Sequence, residues 1–158
     1  MSGLRGRIIC VGNRLVDEDA AGPAVHDHLR ARAMPDGVEL IDGGLLGLDL
    51  LRFMTGAGKV VFVDAVTGFL ETDGVVVLSA GEAGARALGT YGHDGGLAYL
   101  LNVLPRVMEG DMPEVRLVGV QGAVSANLVS RAADISLDLA AHGWPLEAAG
   151  RTDLARLD

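Results

Sequence analysis

The sequence predicts a single α/β domain of three layers, with helices on both faces of a twisted, mostly parallel five-stranded sheet. Short runs of β-branched residues alternate with longer segments of helical spacing, which is typical of such a sheet. The chain of 158 residues has the usual length of one domain. No internal repeat, low-complexity segment or linker divides the sequence, so residues 1–158 are expected to form one unit.

Five apolar runs are predicted to be strands. The run at residues 59–66 includes four consecutive apolar residues, which indicates a central strand buried on both faces. The other predicted strands are residues 7–12, 38–42, 74–79 and 115–121.

Four segments between or after these strands are predicted to be helices. Pro23 occupies a position typical of a first helical turn, and Ser125 is a favourable N-cap residue. The first predicted helix begins near Pro23. The other three cover residues 45–54, 97–108 and 125–142.

Composition excludes several classes of partner. The net charge of −8 argues against binding to nucleic acid or to an anionic membrane surface, since both need clustered Lys and Arg. No uncharged run approaches the ~20 residues of a membrane-spanning helix. The single cysteine, Cys10, lies in an apolar run and cannot form an internal disulfide, so a buried thiol and a reducing cytoplasm are expected.

Acidic residues lie at or just after the ends of three predicted strands. Three consecutive acids at residues 17–19 come after the first strand and before a helix, where a solvated acidic loop would be the ordinary interpretation. Asp64 lies near the end of the third strand, after four consecutive apolar residues, and a buried carboxylate there would need a partner or a metal. Asp42, at the end of the second strand, precedes two glycines that indicate a turn before the next helix.

A histidine completes a possible metal site. His93 lies in a glycine-rich segment before the third predicted helix. Ligands of open α/β sheets bind outside the carboxyl ends of the strands, where Asp19 (or a neighbouring acid), Asp64 and His93 are all expected. Two carboxylates and one imidazole suit Ni²⁺ or Zn²⁺ and leave a coordination position open for chemistry. The sequence has no Gly-x-Ser-x-Gly motif, and Cys10 is expected to be buried, so a serine or cysteine nucleophile is not indicated.

From about residue 7 to residue 139 the sequence resembles the nickel–iron hydrogenase maturation endopeptidases. Matching blocks occur in order: Gly12-Asn13 followed by acids and Gly22-Pro23, then Asp42-Gly43-Gly44, Asp64-Ala65, His93 with Gly96-Leu97, and Gly119-Val120-Gln121. Counted from Asn13 to Gly22, the family's first metal-binding acid falls on Asp19, although Glu18 is a competent ligand one residue away. The family usually continues its last block with Pro and often Glu, whereas this chain has Gly122-Ala123.

This resemblance implies a fold, a reaction and a partner. The fold is a phosphorylase/hydrolase-like α/β domain with a five-stranded sheet. The reaction is removal of the C-terminal extension from a nickel-loaded hydrogenase large-subunit precursor. Asp19, Asp64 and His93 would bind the nickel and take part in catalysis. The nickel is expected to arrive with the precursor, Zn²⁺ or Cd²⁺ is expected to substitute in vitro, and the protein is expected to be a monomer.

Three other interpretations stay open at this point. A phosphoacceptor receiver domain also has acids after its first strand and an Asp after its third, but it needs a Lys after its fifth strand, and none follows residue 121. A nucleotide-binding module is disfavoured because the first loop lacks Gly-x-Gly-x-x-Gly and its acids would repel a pyrophosphate. A homologue that binds precursor or nickel without cutting would retain the same three ligands.

Overall fold

The computed structural model describes residues 5–45, 48–83, 100–101, 104, 112–143 and 152–153. The strands are Gly6–Val11 (β1), Val38–Gly44 (β2), Lys59–Val66 (β3), Gly74–Ser79 (β4), Glu114–Gln121 (β5) and Thr152–Asp153 (β6). Two α-helices have described bounds, Ala21–Arg30 (α1) and Ala126–His142 (α2). Short 3-10 helices cover Asp17–Asp19 and Leu48–Phe53.

These strands form one mixed sheet in the order β2-β1-β3-β5-β4-β6. Strands β2, β1, β3 and β5 are parallel, and β4 runs antiparallel to β5. All five predicted strands are confirmed, with β3 and β4 matching at both ends, and the two-residue β6 adds a sixth at the edge. A receiver domain has a fully parallel sheet in the order 2-1-3-4-5, so the antiparallel β4 beyond β5 excludes that interpretation.

Both faces of the sheet are covered, which confirms the three-layer arrangement. On one face, α1 and α2 pack against residues such as Ile8, Val61 and Val118. On the other, the segment 48–54 packs through Leu50 and Met54 against Phe62 and its neighbours. Three leucines of the predicted third helix are helical and buried on this second face: Leu100, Leu101 and Leu104. The rest of the predicted helix at residues 97–108 lies outside the described residues.

The helix predicted at residues 45–54 is confirmed in part, since the segment is helical but is not an α-helix. A 3-10 helix covers Leu48–Phe53 instead, and the partly buried Arg7 of β1 donates hydrogen bonds to the carbonyls of Phe53 and Thr55. Because the carbonyls at the end of the segment accept hydrogen bonds from Arg7, they do not need the partners that further helical turns would supply.

Among the described residues, no helix combines the length and hydrophobicity needed to cross a membrane.

Residues Asp42-Gly43-Gly44, which were predicted to form a turn, are the last three residues of β2. Gly44 pairs with Val11 across a register irregularity, and its carbonyl accepts a hydrogen bond from Gly12 N at 2.8 Å. Asp42 does not cap a helix, since its Oδ1 accepts a hydrogen bond from Gly44 N at 3.1 Å. The pairing of β1 with β2 therefore continues past the register shift to the last residue of each strand.

Cys10 is fully buried in β1, as the sequence predicts. Burial raises the pKa of its thiol far above the ordinary range, and the carboxylates of Asp42 and Asp27 add to that increase. A thiol that keeps its proton is a poor nucleophile and a poor metal ligand. The geometry therefore supports the view that Cys10 fills space in the core.

The raised pKa makes a prediction about stability. The folded thiol keeps its proton, while the unfolded thiol loses its proton above about pH 8.5, so folding takes up a proton there and stability falls as pH rises. Between about pH 8.5 and pH 10, the wild type should lose about 2 kcal/mol of unfolding free energy that the Cys10→Ala variant does not lose. Urea unfolding of both proteins across this range measures the difference. Parallel pH profiles would contradict the buried, protonated thiol.

Candidate functional site at the carboxyl edge of the sheet

The loop between β1 and α1 is shaped by a very close contact. The backbone of Gly22, in the first turn of α1, lies against Val11, so that a Cβ built on Gly22 would stand 1.9 Å from the Val11 carbonyl oxygen. Only glycine permits this approach. At the other end of the loop, Gly12 has a φ of 138°, and a Cβ there would stand 2.3 Å from the carbonyl oxygen of Asp19. The two glycines therefore fold the intervening residues back over the end of β1.

This fold places the carboxylate of Asp19 at the end of β1. Asn13 N donates to the Asp19 carbonyl oxygen at 2.9 Å and to its Oδ2 at 3.0 Å. Asp19 is partly buried, whereas Glu18 beside it in the same 3-10 helix is exposed. Of the two acids that the sequence offered as a ligand, Asp19 is thus the one that the loop holds in a defined orientation.

Asp64 lies near the end of β3, with only 8% of its surface exposed. Its Oδ1 accepts a hydrogen bond from Ala65 N at 2.8 Å, and the residue paired with it on the adjacent strand β5 is Gly119. The 3-10 helix that holds Asp19 has Cα atoms within 8 Å of β3. Because β1 and β3 are adjacent and parallel, both acids lie at the same carboxyl edge of the sheet.

The third predicted ligand, His93, lies outside the described residues. Within the part of the chain that the structure describes, no group of three or more His, Cys, Asp or Glu side chains is arranged to hold a metal ion. The structure therefore brings Asp19 and Asp64 to one edge, and their assignment together with His93 as metal ligands stays a prediction.

Arg14 is a further residue of this edge, which the sequence analysis did not single out. Its guanidinium lies 3.1 Å from Asp27 of α1 and 3.6 Å from Asp42 of β2. All three side chains are about half exposed, so these ion pairs contribute little to stability. Their effect is geometric, since one side chain joins the β1 loop to both α1 and β2.

Beyond β5, the backbone at Gly122 is incompatible with the Pro that the family usually has at this position. Gly122 has a φ of 110°, and a Cβ there would stand 2.1 Å from the carboxyl carbon of Asp73. Proline fixes φ near about −65°, so the Pro usual in the family could not adopt this backbone. The loop after β5 therefore follows a path in this chain that depends on glycine.

Comparison with known proteins identifies the class to which this fold and site belong. The structure is similar to the hydrogenase maturating endopeptidase HybD from Escherichia coli, with a TM-score of 0.66 and 28% identity, covering 85% of this chain and 88% of that one. It is also similar to the solution structure of an endopeptidase from Escherichia coli, with a TM-score of 0.67 and 26% identity over 96% of this chain and 99% of that one. The fold is thus that of the maturation endopeptidases.

Sequence comparison shows the family. The family model described as hydrogenase maturation protease matches residues 23–130, a span that includes Asp64 and His93 and begins after Asp19. The hydrogenase 2 maturation protease of Escherichia coli (strain K12) is 32% identical over 122 residues, which are 74% of this chain and 73% of that protein. The chain belongs to the hydrogenase maturation protease family, as the resemblance of its motifs predicts.

The close contact at Gly22 can be tested by adding one methyl group. Gly22→Ala should destabilise the protein by about 1–3 kcal/mol, because the methyl group forces α1 away from the Val11 carbonyl. Gly81→Ala is the matched control, since Gly81 is helical, has a negative φ and has open space where a Cβ would be. Its effect should be neutral or stabilising by up to about 1 kcal/mol. Chemical denaturation measures both, and equal effects would refute the contact.

Proposed function

We propose that this protein is an endopeptidase that recognises nickel in a hydrogenase large-subunit precursor and removes the precursor's C-terminal extension. The observation that supports this most directly is the placement of Asp19 and Asp64 at one edge of the sheet in a chain of the maturation protease family. The nickel is part of the substrate in this proposal. It arrives with the precursor and leaves with the processed subunit.

The chemistry of the two carboxylates fits a divalent cation. Each is oriented by a backbone amide, Asp19 by Asn13 N and Asp64 by Ala65 N. These hydrogen bonds give each carboxylate a defined orientation at the edge of the sheet. Two carboxylates at one edge favour a cation between them, and an imidazole from His93 would complete a ligand set suited to nickel.

This arrangement supports peptide hydrolysis in two ways. Nickel bound by these residues would polarise the scissile carbonyl or lower the pKa of a nearby water. The protein's own contribution is to orient Asp19 and Asp64 in advance and to bind the extension beside them. Asp19 or Asp64 would accept the proton of the attacking water and pass it to the amine of the leaving extension, which completes the hydrolysis. We further propose that Zn²⁺ or Cd²⁺ binds the same ligands in vitro, and that the protein acts as a monomer in the cytoplasm.

The decisive experiment compares two forms of one precursor. The purified protein is incubated with nickel-loaded and with nickel-free large-subunit precursor, and the mass of each is followed. Loss of a C-terminal peptide from the loaded form alone is expected. Binding without cleavage across all precursors of the source genome would favour a homologue that does not cut, and absence of binding would refute the proposal.

Removing the charge of Asp64 tests its role as a ligand. Asp64→Asn keeps the size and the acceptor of the side chain but loses its charge, so cleavage of loaded precursor should fall by about 100-fold or more. Asp134→Asn is the control, because Asp134 is an exposed residue of α2 outside the candidate site. Its carboxylate pairs with Arg32 at 2.8 Å. Rates are measured by mass on variants whose circular dichroism spectra match the wild type. Full cleavage by folded Asp64→Asn would refute the ligand assignment.

The neighbouring acids Glu18 and Asp19 distinguish the two possible registers of the first motif. Asp19→Asn should abolish processing, because Asp19 is the acid that the loop holds against Asn13 N. Glu18→Gln, an exposed position, should retain most of the activity. The two variants are compared in the same cleavage assay. The reverse result would assign the ligand to Glu18.

A further inference from the structure

The side chain of Gln121, the last residue of β5, makes a dense set of hydrogen bonds to a distant loop. Its Oε1 accepts from Phe69 N at 2.9 Å and from Leu70 N at 3.0 Å. Its Nε2 donates to Leu70 O at 2.7 Å and to Thr72 O at 3.3 Å. All the partners are backbone atoms of the loop between β3 and β4. One amide side chain therefore pairs with backbone groups of a segment that lies outside the strands of the sheet.

A second contact joins the same two regions. The backbone of Gly122 lies against Asp73, leaving no space for a Cβ, which would stand within 2.4 Å of the carboxylate oxygens. The loop at residues 67–73 is therefore bonded to the end of β5, and its last residue lies against the start of the loop at residues 122–125. These two segments are called the paired loops below.

The paired loops lie beside Asp64. In the ladder between β3 and β5, Asp64 is opposite Gly119 and Val66 is opposite Gln121, so the first loop starts three residues after Asp64. Most of the residues in these loops are exposed, and Val124 keeps 40% of its surface accessible. A peptide that has its scissile bond near Asp64 and runs toward β5 would contact these loops.

We infer that Gln121 is a positioning residue that holds the paired loops in a preformed arrangement for binding the precursor's C-terminal extension. This inference rests on the proposed function. Gln121 acts through the backbone of the loop, since its amide is already bonded to Phe69, Leu70 and Thr72. A loop ordered in advance does not lose conformational entropy when the peptide binds, so the contribution of Gln121 belongs to substrate binding. The bond-breaking step at Asp64 does not depend on it.

The test separates binding from turnover. Gln121→Met keeps the length of the side chain and removes all the hydrogen bonds, while Gln121→Glu keeps an acceptor for Phe69 N and Leu70 N and loses both donors. For loaded precursor, Gln121→Met should raise KM about tenfold with kcat within about twofold of the wild type. The KM of Gln121→Glu should lie between those of the wild type and Gln121→Met. Faster hydrogen exchange at the amides of Phe69 and Leu70 should accompany the change in KM.

A control variant excludes a simple loss of stability. Ser136→Ala removes one buried hydrogen bond, from Ser136 Oγ to Ala132 O at 2.7 Å, within α2. It should leave KM unchanged. A general loss of folded protein lowers the apparent kcat and leaves KM as it was, so an unchanged KM in Gln121→Met would overturn the inference even if kcat fell. If Gln121→Met does not fold, the same criterion applies to Gln121→Glu. Absence of cleavage by the wild type would refute the proposed function, and this inference with it.

Discussion

The close approach of α1 to the end of β1 is the constraint on which the rest of the site depends. Because Gly22 lies directly against the Val11 carbonyl, the loop between them has to close over a very short distance. The loop does so by folding residues 13–19 back on themselves, with Asn13 N bonded to Asp19 at both the carbonyl and the carboxylate. The position of the first acid therefore follows from packing at a glycine, and the second acid, Asp64, is placed by the adjacent parallel strand.

Much of the fold could be predicted because burial selects a simple pattern. The strand at Lys59–Val66 is apolar almost throughout, and its predicted bounds are those observed. The helix predicted at residues 45–54 is a shorter 3-10 helix in the structure. Its leucines can be buried by either kind of helix, and the hydrogen bonds from the distant Arg7 to the carbonyls of Phe53 and Thr55 could not be foreseen from the sequence. The direction of β4 was also beyond the sequence, since the pattern of a buried strand is the same whether it runs parallel or antiparallel.

The site was predictable to a similar degree. Asp64 stood out because a carboxylate after an apolar strand needs a reason, and the structure places it where the sequence predicts. The choice between Glu18 and Asp19 needed the backbone of the loop. Gln121 was noticed only as part of a motif, and its role was not predicted, because its hydrogen-bond partners lie 49 to 52 residues away in the chain. A polar side chain at the end of a buried strand was the one available signal.

The means by which the acids are oriented bears on how the enzyme selects its substrate. The backbone amides of Asn13 and Ala65 donate to Asp19 and Asp64, so both carboxylates have a defined orientation at this edge before a substrate binds. In a chain of net charge −8, such an edge favours a substrate that brings its own cation. In the proposed function, an extension without metal gains only the contacts of the loops, while a loaded precursor gains the ionic interaction as well. The proposal thus assigns recognition of the metal and of the extension to different residues, so that cutting requires both at once.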